Sequence, residues 1–217
     1  ADAIIKACKT KAGKKRAIIV SGGPGTGKSV IALKVFGEMM KANIGAFRYL
    51  TNSANFRDFL KGMLFNYIHS HPSLGSSPDD SRVDYLVEKF TAVWQGTQKN
   101  EYKLLIADEA QSLELRHRDG NMYKQTLTPP VIDIIQQAQV SAFFLDPKQA
   151  KKKSMFGTVE HIKTAAKLLG VEVLEFELHK QFRCGERDEV VEIVEEIYGH
   201  RPKPSPVKKV DISPFKI

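Results

Sequence analysis

The stretch Ala17-Ile18-Ile19-Val20-Ser21-Gly22-Gly23-Pro24-Gly25-Thr26-Gly27-Lys28-Ser29-Val30-Ile31-Ala32-Leu33 decides the fold. A short apolar, β-rich run leads into glycines, after which Val30, Ile31, Leu33, Val35 and Phe36 repeat with helical spacing to about Met40. Gly22-x-x-x-x-Gly27-Lys28-Ser29 is the full P-loop, or Walker A, pattern, and it stands in the strand, loop and helix context that gives the pattern its mechanism. Glycines let successive backbone N–H groups turn toward a phosphate without Cβ clashes, and the helix N-terminus adds its positive dipole end. On this reading Gly22, Gly23, Pro24, Gly25, Thr26, Gly27, Lys28, Ser29 and Val30 form a nucleoside triphosphate site. Lys28 reaches the β- and γ-phosphates, and Ser29 holds magnesium.

Outward from this unit, strand and helix alternate. Residues 2–9 have helical spacing, Ala46–Leu50 reads as a strand, Asn55–Ile68 as a helix, and His71–Asp80 as a loop. Val83–Trp94 again spaces its apolar residues like a helix face, and Lys103–Ala107 is a continuous apolar strand. Glu114–Pro130 is polar and reads as an irregular insertion; Val131–Ala138 is helical, Val140–Leu145 a strand, Val159–Leu169 a helix closed by Gly170, and Val171–Leu178 a strand. A last helix is expected over Arg187–Tyr198, followed by a proline- and lysine-rich tail from Arg201. Near-uniformly apolar strands alternating with helices predict an α/β fold, a parallel β-sheet sandwiched by helices, with ligands at the carboxyl ends of the strands.

Three further segments carry chemistry. Leu104-Leu105-Ile106-Ala107 ends in Asp108-Glu109, an acidic pair (Walker B) placed so that Asp108 holds magnesium through water while Glu109 activates the attacking water. The strand Ala142-Phe143-Phe144-Leu145 ends in Asp146-Pro147-Lys148-Gln149, where Gln149 is a candidate sensor of the γ-phosphate or of water. Leu178-His179-Lys180-Gln181-Phe182-Arg183-Cys184 offers Arg183, whose planar fork suits a γ-phosphate as charge moves during hydrolysis.

Taken in order, these four segments resemble the motifs of superfamily 1 helicases. The phrasing GGPGTGKSVIAL, DEAQSL, FFLDPKQ and ELHKQFRC is most similar to the Schlafen-type (group 3) helicase-like ATPase family, over about residues 17–198. The resemblance implies a RecA-like P-loop NTPase core, a fragment of a two-domain helicase, with 1–178 as the ATPase domain and 179–217 as the arginine motif, helix and tail that open a second one. It implies ATP and Mg2+ as cofactors, and a nucleic acid partner, DNA or RNA, single-stranded above all. Within Tyr49-Leu50-Thr51-Asn52-Ser53, it makes Thr51, Asn52 and Ser53 candidate contacts to the nucleic-acid backbone. A second RecA-like domain is then either missing from this chain or supplied in trans.

Composition agrees. The net charge is +8, and residues 1–50 hold ten Lys/Arg against Asp2 and Glu38, a bias that favours a polyanionic partner. Two cysteines, Cys8 and Cys184, lie far apart and form neither a zinc pattern nor a disulfide framework. No apolar run reaches the roughly 20 residues a bilayer requires, so no membrane is expected, and the cytoplasm, or a nucleus where one exists, is the expected compartment. Two other classes stay open: a small-molecule kinase using Glu114–Pro130, with Arg116 and Arg118, as an arginine-bearing lid, and a nucleotide-dependent switch without motor activity.

Overall fold

The computed structural model describes residues 1–10, 14–42, 44–70, 80–93, 99–114, 116–119, 122–125, 128–149 and 155–182. Arg183, Cys184, Trp94, most of the His71–Asp80 loop, the helix expected over Arg187–Tyr198 and the tail lie outside these residues.

Helix α1 (Asp2–Lys9) precedes strand β1 (Arg16–Gly22), which feeds the P-loop and helix α2 (Lys28–Ala42). Strand β2 (Phe47–Leu50), helix α3 (Ala54–Ser70), helix α4 (Asp80–Leu86) and strand β3 (Val87–Glu88) follow, then β4 (Tyr102–Asp108) and the small strands β5 (Arg116–Asp119) and β6 (Met122–Gln125). Helix α5 (Pro130–Gln137), strand β7 (Ala138–Leu145), helix α6 (Val159–Leu168) and strand β8 (Glu172–Leu178) complete the order. The six-stranded sheet runs β3-β2-β4-β7-β1-β8, every pair parallel. The P-loop strand β1 and the acidic strand β4 therefore flank β7, and the carboxyl ends of all three share one edge.

Period-two alternation builds the two cores. Ile18 and Val20 of β1, Leu104 and Ile106 of β4 and Val140 and Phe144 of β7 bury against α1, α2, α3 and α4. Ala17 and Ile19, Leu105 and Ala107, and Phe143 and Leu145 bury on the opposite face against α5 and α6. The expected sandwich of helices around a parallel sheet is what forms, with the P-loop directly after β1.

Three boundaries differ from expectation. The single helix expected over Val83–Trp94 stops at Leu86; Val87–Glu88 pairs with Tyr49–Leu50 as an edge strand, and Phe90–Val93 forms a 3-10 turn. Val83, Leu86, Val87 and Phe90 are buried in both arrangements, so apolar spacing does not discriminate, and ladder hydrogen bonds for β-branched Val87 decide. Within Glu114–Pro130 an antiparallel ribbon pairs Arg116 with Gln125 and Asp119 with Met122, and Pro130 opens α5. Only two residues of sequence, Gly120-Asn121, separate its strands, a hairpin spacing. Finally, β1 runs on through Gly22.

Lys15 anchors the start of β1. Its ammonium donates to the Ile135 carbonyl at 2.9 Å and to that of Gln136, closing the C-terminal end of α5, and burial holds its pKa below the usual lysine value. Cys8 is buried in the α1 core, and burial pushes its thiol up to about 11 against the opposing charge of Lys103, so almost no thiolate exists near neutral pH. Cys8 is accordingly expected to resist a thiol reagent in the native protein and to react once denaturant is added; mass mapping of the labelled peptide checks this.

Candidate nucleotide site

The P-loop owes its path to two glycines with positive φ, Gly25 at 77° and Gly27 at 86°. At Gly22 the constraint is space: a Cβ there would lie 2.7 Å from Thr26 Oγ1 and 2.9 Å from the Leu178 carbonyl oxygen, because β8 passes against the loop. Lys28 is buried, and its Nζ donates to the carbonyls of Gly22 and Gly23, each at 2.8 Å. Thr26 Oγ1 donates to Gly23 O at 2.8 Å. The loop thus holds its own lysine across its mouth.

A cavity of about 760 Å³ opens at the carboxyl edge of the sheet. Pro24, Gly25, Thr26, Gly27, Lys28, Ser29, Val30, Ile31, Glu109, Gln149 and Phe182 line it, bringing together the P-loop, Glu109 of the acidic pair and Gln149 of the β7 motif from separate parts of the chain, while Asp108 is not among the lining residues. Val30 is 70% exposed and Phe182 61%, so the cavity has an apolar lip. The Phe182 N–H donates to Gly25 O at 2.9 Å, pinning that residue to the P-loop.

The acidic pair splits at a strained turn. Asp108 ends β4, is 2% exposed and lies on the α2 face; Glu109 adopts φ 56°, ψ 42°, a left-handed conformation uncommon outside glycine. That kink turns the chain off the strand into the 3-10 turn Ala110–Ser112 and sends Glu109 into the cavity. Asp108 accepts from the Tyr49 hydroxyl at 2.6 Å and from the Glu109 N–H at 3.1 Å.

Gln111 and Gly157 have no role that the sequence motifs reveal, yet both shape this turn. Buried Gln111 donates from Nε2 to Glu109 Oε2 and, at 3.3 Å, to Gln149 Oε1, while its Oε1 accepts the Asp146 N–H at 3.1 Å. One amide therefore ties the β4 motif to the β7 motif; a glutamine inside DEAQ is the only sequence signal. Gly157 packs on Ala110: a Cβ there would sit 1.6 Å from the Ala110 carbonyl oxygen, beside the Phe156 N–H to Leu113 O bond of 2.7 Å. Gly157→Ala is expected to lower Tm by roughly 10 °C, from about 3 kcal/mol of overpacking at about 2–4 °C per kcal/mol, as read by a thermal melt.

The candidate nucleic-acid residues lie off this cavity, past the end of β2. Thr51 is buried, and its Oγ1 accepts the Ser53 N–H at 3.4 Å; Asn52 and Ser53 are exposed. Asn52 Nδ2 donates to the carbonyl of Ser112 at 3.2 Å, which links this segment to the acidic turn.

Fold and site together define a P-loop protein of the parallel-sheet α/β class. The sequence matches the Schlafen group 3, DNA/RNA helicase domain over residues 15–217, and the chain belongs to that family. A comparison with curated protein sequences finds no match. Among solved structures, AMPPCP-bound DnaA from Aquifex aeolicus is similar at 13% identity and a TM-score of 0.35, with 93% of this chain and 52% of that chain covered. The chain thus spans about half the length of that structure. Among the described residues no helix is long and apolar enough to cross a membrane.

Proposed function

We propose that the chain binds and hydrolyses ATP as the motor-type module of a nucleic-acid-associated, helicase-like protein, with residues 1–178 as the ATPase domain. The observation that carries this reading is the shared cavity: Glu109 and Gln149 face the same space as Pro24–Ile31. Lys28 exchanges the Gly22 and Gly23 carbonyls for the β- and γ-phosphates, and the P-loop N–H groups take the phosphate oxygens. Glu109 accepts the proton of the attacking water, and Gln149 holds that water in line. Phe182, exposed at the lip, offers its ring to the base. Arg183 is assigned the γ-phosphate on family resemblance.

The donor set suits magnesium. Asp108 supplies one buried carboxylate and Ser29 one hydroxyl, and among the described residues no three His, Cys, Asp or Glu cluster as a full metal cage. Magnesium prefers such sites, where phosphate and water fill the remaining positions. Bound there, it neutralises charge on the β- and γ-phosphates.

Asn52 and Ser53 are the proposed contacts to a single-stranded nucleic acid, with a second RecA-like domain completing the grip. Steady-state ATP hydrolysis, with and without single-stranded DNA and RNA at low and high salt, tests the reading. Stimulation that fades as salt rises is expected, because phosphate contacts release counterions. Turnover indifferent to nucleic acid at low salt would reject the motor reading in favour of a switch.

A further inference from the structure

Tyr49 is the residue around the site that neither the P-loop nor the acidic motif accounts for. In the β2–β4 ladder Tyr49 pairs with Ile106, two residues short of Asp108 on the same face of the sheet, so its ring runs along that face toward the carboxylate. The hydroxyl donates to Asp108 Oδ2 at 2.6 Å, and both residues are buried. The ring is held from two sides. Phe36, on the P-loop helix α2, meets it edge-on at 5.8 Å and 90°, and Phe56, on α3, lies 6.0 Å away.

We propose that Tyr49 is a positioning residue for the metal-binding carboxylate: its hydroxyl fixes the rotamer of Asp108 so that the remaining lone pairs face the triphosphate and its magnesium. This rests on the ATP and magnesium reading above. With Oδ2 held by the phenol and Oδ1 by the Glu109 N–H, Asp108 has one orientation, and it owes that orientation to β2, the strand that runs into Asn52 and Ser53. Outer-shell partners of this kind commonly change metal affinity by about 10- to 100-fold when removed.

The test is Tyr49→Phe, which keeps the ring contacts and removes only the hydroxyl, in a titration of a fluorescent ATP analogue from EDTA to saturating magnesium. Wild type establishes the underlying reading: nucleotide affinity must rise with magnesium. In Tyr49→Phe the affinity in EDTA is expected to match wild type, while the magnesium concentration at half-effect rises about 10- to 100-fold. A midpoint equal to that of wild type overturns the proposal and leaves the ATP site standing; absence of any magnesium dependence in wild type overturns both. Should Tyr49→Phe fail to fold, 3-fluorotyrosine at position 49 replaces it. Its fluorine resonance is expected to move when magnesium and nucleotide are added together and to stay still with nucleotide in EDTA; no movement in either case rejects the role.

Discussion

Glu109→Gln is expected to bind ATP with unchanged affinity and to hydrolyse it about 10²- to 10⁴-fold more slowly, the usual contribution of a positioned general base. Glutamine keeps the length of the side chain and an oxygen to accept the Gln111 Nε2 donor, so the amide bridge to Gln149 and the Asp146 backbone survives. Only the negative charge and the capacity to take a proton are lost. Because Glu109 occupies the cavity through a left-handed turn rather than through packing, the substitution asks nothing of the core. Equilibrium binding and single-turnover hydrolysis, measured on the same preparation, separate the two effects. A matching loss in both would assign Glu109 to binding and remove it from the chemistry.

Lys28→Ala is expected to act at the other end of the cavity. Its ammonium is the charge nearest the loop carbonyls, and each charge-assisted hydrogen bond lost is worth about 1.5–3 kcal/mol, so ATP affinity should fall about 10- to 100-fold or more. The same change leaves the Gly22 and Gly23 carbonyls without the ammonium, although Thr26 still donates to Gly23. A thermal melt run beside the binding titration distinguishes loss of the phosphate contact from slackening of the loop. Affinity equal to wild type would show that the triphosphate does not lie along the P-loop.

Much of this site was legible because its parts are local. The P-loop needs only eight consecutive residues with a strand before and a helix after, and the strands β4 and β7 announce themselves as apolar runs ending in Asp108 and Asp146. Other features depend on what two distant segments do to each other. Tyr49 reads as one more β-rich residue until β2 and β4 are set in parallel register. Gln111 gains its role only when the Asp146 N–H and the Gln149 amide arrive from the neighbouring strand. Gly157 looks like a loop residue, yet it stands where the Ala110 carbonyl leaves no room for a Cβ. Val87 fits a helix by sequence alone because burial on one face satisfies either period; pairing with Tyr49 settles it as strand.

The central claim, an ATP site formed by the P-loop together with Glu109 and Gln149, is tested most directly by saturation binding of a non-hydrolysable ATP analogue with magnesium. One site per chain, competed by ATP and weakened in Lys28→Ala, is the predicted result. Absence of saturable binding, or binding that Lys28→Ala leaves untouched, would contradict it.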